Sequence, residues 1–138
     1  MSRSGYCDDY DYDNWEMIRW RGAVAQALRG ARGRAFLREM IAALDALPEP
    51  VLARHSFVAH GTCALGAVAV QRGLDVSDLE VIDEDDGSLN TRRVGERFGI
   101  ASAMAAEIMH INDKYGSTPE ARWQIMRAWI VRQLEPKP

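Results

Sequence analysis

The apolar residues between positions 34 and 47 recur at the spacing of an α-helix, and two prolines follow them. Positions 37, 40, 41, 44 and 47 are apolar and fall on one face of a helix. Pro48 and Pro50 then end the helix, because proline lacks the backbone N–H that a further turn would need. A helix with one apolar face is stabilised mainly by burying that face. This stretch therefore predicts a packed helical core.

The preceding stretch has the same period, with apolar residues at positions 17, 20, 24 and 28. It predicts a helix from Trp15 to about Arg29. Gly30 to Gly33 interrupt the pattern and predict a linker. Because the break is short, the first two helices are expected to form an antiparallel hairpin.

Four later stretches combine helical spacing with capping or terminating residues: 63–72, 91–98, 100–111 and 119–134. Thr62 is the expected N-cap of the first of them, and Gly73 its end. Thr118 and Pro119 are a strong start signal for the last, since threonine caps a helix and proline suits its first turn.

The helix over 100–111 is expected to end at Asn112, Asp113 and Gly116. Residues 51–61 alternate only weakly between apolar and polar, so they allow at most one short β element. No strands alternate with helices, which disfavours an α/β enzyme fold. The sequence predicts a mainly α fold, a compact bundle of five or six short helices.

The length of the chain suits one domain. It has 138 residues, of which 47% are apolar, and this is enough to form a core without disulfides or a structural metal. Residues 1–13 carry four aspartates and three tyrosines and are expected to form an acidic N-terminal tail. Residues 14–138 are expected to form a single helical domain.

Features of secretion and membrane insertion are missing from the sequence. The apolar runs are shorter than the roughly 18 residues that span a membrane, and residues 1–13 lack the apolar stretch of a secretory signal. Cys7 and Cys63 are the two cysteines, and such distant thiols are typical of a reducing compartment rather than a disulfide framework. We therefore expect a cytoplasmic protein without membrane contact.

Charge is unevenly distributed, although the formal net charge is only -3. Between positions 75 and 86 there are seven acids and no base. Such a segment suits a partner surface rich in arginine or lysine, as in a nucleic-acid channel. The candidate partner-binding residues are Asp75, Asp78, Glu80, Asp83, Glu84, Asp85 and Asp86.

Arginines dominate the first two predicted helices. Between positions 17 and 38 there are six arginines and no acid. Such a patch could hold a phosphate backbone or an acidic protein, or it could be a solvated face or pair with acids of the same molecule. The alternative basic patch consists of Arg19, Arg29, Arg32, Arg34 and Arg38, with Arg21 in the same region.

Metal and thiol chemistry have weak candidates. His55, His60 and Cys63 are close in sequence, but their spacing is not that of a zinc knuckle, and the aspartates of residues 9–13 match only the beginning of a calcium loop. Cys63 at a helix start, with His60 as base and Asp113 to orient it, could form a thiol enzyme. Packing of Cys63 as a small apolar residue is favoured instead. We therefore expect no metal, no cofactor and no catalytic residue.

Several segments occur in an order that resembles a known group of proteins. They include Ser4-Gly5-Tyr6, Cys63-Ala64-Leu65-Gly66-Ala67, Phe98-Gly99-Ile100-Ala101, Asn112-Asp113 and Thr118-Pro119-Glu120, together with residues 18–24, 35–40 and 43–48. The order is similar to that of short uncharacterised proteins of proteobacterial phages and prophages. The resemblance covers most of the chain and brings no catalytic residue with it.

The resemblance implies a phage context in a bacterial host cytosol. Small phage accessory proteins without catalytic signatures are often inhibitors of a host machine, so one expectation is a non-enzymatic protein that inhibits a host defence complex, such as a CRISPR-Cas effector, through its acidic segments. The alternative is a nucleic-acid-binding accessory or regulatory protein that uses the arginine-rich hairpin. An enzyme using Cys63 and His60 is the third possibility.

Overall fold

Six α-helices make up most of the computed structural model. It describes residues 3–4, 14–80 and 87–136, and for 14–17 and 87–89 it describes the backbone alone. The helices are α1 (Asn14–Arg29), α2 (Ala31–Asp45), α3 (Ala64–Arg72), α4 (Gly87–Phe98), α5 (Ser102–Lys114) and α6 (Pro119–Leu134). A 3-10 turn covers Ser77–Leu79, and the described part has no strand, only a β-bridge between Ala59 and Gly61. The predicted compact, mainly α bundle is confirmed.

Two helices organise the packing. Helix α2 packs against α1, α3 and α6, and α5 packs against α1, α3 and α4. Helix α3 is the most deeply buried element, with residues 64–69 all inside. The core consists of aliphatic and methionine side chains that are almost fully removed from solvent: Leu37, Met40, Leu44, Leu65, Met104, Ile108, Met126 and Ile130.

The connection between the first two helices is shorter than predicted. Only Gly30 separates α1 from α2, and Gly33 lies inside α2, where it is buried. A Cβ atom at position 33 would overlap the backbone carbonyl of Ala27. The predicted linker from Gly30 to Gly33 is therefore wrong beyond Gly30, because the second glycine serves close helix–helix contact instead of breaking the helix.

The ends of α3 follow the sequence pattern with one correction. Cys63, not Thr62, is the N-cap, and its Sγ accepts a hydrogen bond from the Gly66 backbone N–H at 3.3 Å. Gly73 ends the helix in the left-handed conformation at φ 64°, as predicted. A Cβ at Gly66 would overlap the Phe57 carbonyl, so this glycine lets the loop before α3 approach closely.

The last three helices differ from the prediction at three boundaries. Helix α4 begins at Gly87 rather than near Thr91, and α5 begins at Ser102 rather than Ile100 and continues to Lys114. Asn112 and Asp113 are therefore inside α5 and buried, where their side chains bond to distant segments rather than ending the helix. The start of α6 is confirmed: the Thr118 hydroxyl accepts a hydrogen bond from the Ala121 backbone N–H at 3.1 Å.

Candidate functional site

Asp78, in the predicted acidic segment, is bound to the side of α4. Its carboxylate accepts hydrogen bonds from Arg97 Nη2 at 2.7 Å and Arg93 Nη2 at 3.0 Å. The hydrogen bonds from Arg97, helped by the charge of Arg93, hold the pKa of Asp78 at about 2. The carboxylate is ionised at neutral pH, and its charge is compensated within the molecule.

Asp75 and Glu80 also accept hydrogen bonds from other residues of the same chain. Asp75 Oδ1 accepts hydrogen bonds from the Ser77 backbone N–H at 2.9 Å and the Ser77 hydroxyl at 2.7 Å. The Glu80 carboxylate accepts from three consecutive backbone N–H groups, those of residues 57, 58 and 59. Partial burial would raise the pKa of Glu80, but these three donors hold it below its ordinary value. Both carboxylates fix local backbone structure.

The other four candidate acids are consecutive: Asp83, Glu84, Asp85 and Asp86. They lie outside the described residues. All three acidic candidates that the structure describes are therefore bonded internally, and the segment's capacity to bind a partner depends on these four.

The arginines of the hairpin differ from the acids. Four of the five candidate side chains are exposed and make no hydrogen bond or ion pair within the described ranges: Arg19, Arg29, Arg32 and Arg38. Arg34 is half-buried, and it donates to the carbonyls of Gln133 at 3.3 Å and Leu134 at 3.0 Å. Arg34 therefore holds the C-terminal end of α6 against α2, where a cation is favoured by the helix dipole.

The acids of α2 do not neutralise these arginines. Glu39 forms a bidentate pair with Arg72 of α3, at 2.6 and 2.7 Å, and Asp45 pairs with Arg127 of α6 at 2.8 Å. Hydrogen bonds from Arg72 lower the pKa of Glu39, as those from Arg127 lower the pKa of Asp45. The positive charge of the exposed hairpin arginines is therefore left uncompensated by the described part of α2.

A cleft of about 500 Å³ lies beside the hairpin, between α1, the start of α2 and the end of α6. Its apolar lining includes Val24, Leu28 and Trp129. Its charged lining consists of Arg21, Arg29, Arg34, Glu107 and Glu135. The volume is within the usual range of pockets that hold small organic groups, roughly 300–1,000 Å³.

Cys63 is not arranged as a nucleophile. Its side chain is 0% exposed, and the described residues provide no hydrogen bond between it and His60 or His55. Its Sγ instead lies 3.7 Å from Arg3 Nη1. The geometry favours the interpretation of Cys63 as a packed helix cap. No three His, Cys, Asp or Glu residues of the described part come together as metal ligands.

Asp113 forms a buried polar cluster that the sequence did not indicate. Its carboxylate accepts hydrogen bonds from Arg3, from the His55 backbone N–H at 3.0 Å and from Asn112 Nδ2 at 3.0 Å. Burial would raise the pKa of Asp113, but the hydrogen bonds and charge of Arg3 hold it below its ordinary value. His55 Nδ1 lies 3.4 Å from the carboxylate, so His55, not His60, is the histidine beside Asp113.

Arg3 and Ser4 belong to the segment that was expected to be a tail, yet both are buried in the helical domain. The other residues of the segment 1–13 lie outside the described residues. No local pattern points to Arg3, because its partner Asp113 is 110 residues away. Burial and complete bonding make this cluster a structural element rather than a binding site.

Comparison of the chain with protein-family models, with curated proteins and with solved structures finds no match. Within the described residues, the helices are too short or too polar to cross a membrane. The geometry of the arginine-rich hairpin and its cleft is therefore the basis for assigning a function.

Proposed function

We propose that this protein is a non-enzymatic binding protein that holds nucleic acid on the arginine-rich surface of the α1–α2 hairpin. The observation that supports the proposal is the exposure of Arg19, Arg29, Arg32 and Arg38, each without a partner within the described residues. The described acidic candidates, by contrast, are bonded to the protein itself.

The chemistry of arginine favours phosphate as the partner. A guanidinium presents several N–H donors in a planar arrangement that matches two phosphate oxygens, and it stays charged at every physiological pH. Neutralising phosphates also releases condensed counterions, which drives binding at low salt. The net charge of -3 would restrict binding to this face, because the rest of the molecule repels a polyanion.

The proposal predicts salt-dependent binding that requires the hairpin arginines. Fluorescence anisotropy of labelled DNA and RNA oligonucleotides, measured between about 50 and 200 mM salt, gives the affinity and its salt slope. A variant with glutamine at positions 19, 29, 32 and 38 keeps helix propensity and side-chain length but loses four charges. On duplex DNA we expect its slope of log affinity against log salt to be shallower by about 3.6, that is, by about 0.9 for each of the four lost charges.

Arg92→Gln is the matched control, since Arg92 is exposed and belongs to α4 rather than to the α1–α2 hairpin. This variant loses one charge, so its affinity should fall by no more than the loss of one phosphate contact. Its slope of log affinity against log salt should change by no more than about 0.9. Absence of binding by the wild-type protein at low salt would refute the proposal, as would equal losses in the control and the quadruple variant.

A second candidate is the phage-type inhibitor that binds a host defence complex, such as a CRISPR-Cas effector. The favouring observation is the run of four consecutive acids, Asp83 to Asp86, in a segment whose described acids are already bonded internally. A surface lined with arginine or lysine would recognise such a run.

Affinity purification of the tagged protein from a bacterial host tests this candidate. We expect a stoichiometric host complex that is lost when residues 83–86 are replaced by serine. Asp75→Ser is the control, because Asp75 already bonds to Ser77. Retention of the complex by the serine variant would exclude the acidic run from the interface.

A further inference from the structure

We propose that the cleft beside the hairpin accepts one unstacked base of a single-stranded nucleic acid. This inference rests on the proposed function and names the substrate class of the same site. The cleft and the exposed arginine surface share a residue, because Arg29 belongs to both. A strand whose phosphates lie on the hairpin would therefore pass the mouth of the cleft.

Two of the three arginines that line the cleft have guanidinium N–H groups available to a ligand. Arg21 and Arg29 are exposed, and neither makes a hydrogen bond or ion pair within the described part of the chain. Arg34, the third arginine, is held by the carbonyls at the end of α6. The two uncommitted guanidinium groups are thus available for the phosphates on either side of an inserted base.

The lining of the cleft suits a flat, largely apolar group. Val24 and Leu28 of α1 and Trp129 of α6 contribute its apolar part through their exposed edges, since each is otherwise buried, with 7–8% of its surface exposed. Proteins that bind single strands combine a cationic track with apolar and aromatic surfaces that receive the bases. The volume of about 500 Å³ is ample for a base with its sugar. A duplex keeps its bases stacked and paired, so it cannot use this cleft without base flipping.

An acidic lining residue adds selectivity among bases. Glu135 is exposed, and its carboxylate is a hydrogen-bond acceptor that repels phosphate and attracts N–H donors. Cytosine, adenine and guanine carry an exocyclic amino group, whereas thymine and uracil do not. The cleft is therefore expected to prefer a base that carries an amino group.

The test compares labelled oligo(dC), oligo(dT) and a mixed-sequence duplex of equal length at one low salt concentration. Ala25→Trp fills the cleft without changing charge, because Ala25 is part of its lining. Ala128→Trp is the matched control, since Ala128 is exposed on α6 and is not part of the lining. Circular dichroism and the melting temperature establish that both variants fold.

We expect wild type to bind oligo(dC) about fivefold more tightly than oligo(dT), and Ala25→Trp to lose about tenfold in affinity for oligo(dC). The same variant should bind the duplex as wild type does, and Ala128→Trp should match wild type on all three probes. If wild type bound all three probes equally and Ala25→Trp did not change that binding, the base site would be overturned but the proposed function would stand. Absence of binding to every probe would overturn both.

Discussion

Arg3 donates two hydrogen bonds to the Asp113 carboxylate, from Nε to Oδ2 at 2.6 Å and from Nη2 to Oδ1 at 2.7 Å. Both side chains are buried, with 3% and 6% of their surfaces exposed. The Arg3 guanidinium also lies over the Phe57 ring, 4.9 Å from its centroid. Arg3 and the end of α5 are thereby joined to the loop before α3, and each charge depends on the other for its compensation.

Removing Asp113 should destabilise the fold strongly. In Asp113→Ala the Arg3 guanidinium would stay buried without its counter-charge, and breaking a buried pair in this way costs about 3–5 kcal/mol. Glu39→Gln breaks a partly exposed pair with Arg72 and should cost less than about 1 kcal/mol. Urea unfolding measures both losses. Equally small losses would mean that the Arg3–Asp113 pair does not contribute to stability.

The same carboxylate should give the protein an acid-sensitive component of stability. Because the pKa of Asp113 is lower in the folded state, its contribution is complete above the ordinary carboxyl pKa, near 4. It is lost as the pH falls through the lowered value. The difference in unfolding free energy between wild type and Asp113→Asn should therefore shrink as the pH falls from 7 to about 2. A difference that stays constant with pH would contradict the role of the ionised form.

Two glycines within helices should respond oppositely to alanine. A Cβ added at Gly22 in α1 would meet open space, so Gly22→Ala should stabilise the protein by about 0.5–1 kcal/mol through helix propensity. Gly33→Ala gains the same propensity but forces α2 away from the Ala27 carbonyl, so it should be destabilising. The melting temperatures of the two variants test this expectation. Stabilisation by both substitutions would show that the α1–α2 contact can relax.

Glu80 should control the loop before α3. Glu80→Ala removes the acceptor of the backbone N–H groups of Phe57, Val58 and Ala59. Amide hydrogen exchange at these three positions should then accelerate at least tenfold, because the loop loses the carboxylate that accepts all three bonds and opens locally. Ser77→Ala, which removes the hydroxyl that donates to Asp75 nearby, is the control and should leave those amides protected. Unchanged exchange in Glu80→Ala would show that other contacts hold the loop.

The features that sequence predicted correctly depend on neighbours along the chain. The start of α6 at Thr118 and Pro119 and the end of α3 at Gly73 follow from local caps. Gly33 was misassigned because its role depends on a contact with another helix. The burial of Arg3 was missed because an ion pair across 110 residues has no local signature.

The candidate site divides in the same way. The arginines of the hairpin were found from their density in the sequence, whereas their cleft was not, because Trp129 is about 100 residues from Arg29 along the chain. Composition also could not distinguish Arg34, which bonds to the end of α6, from its exposed neighbours. Exposure and bonding after folding separate a structural arginine from one available to a partner.

Arg34 and Arg32 therefore provide a direct test of which arginines are structural. Arg34→Gln should lower stability by about 1 kcal/mol and increase amide exchange at the end of α6, since two carbonyl bonds are lost. Arg32→Gln should leave stability within about 0.5 kcal/mol of wild type, because Arg32 is exposed, and weaken oligonucleotide binding instead. Urea unfolding and anisotropy on the same two variants measure both effects. If Arg32→Gln destabilised the fold and left binding intact, the assignment of the hairpin surface to a polyanionic partner would be wrong.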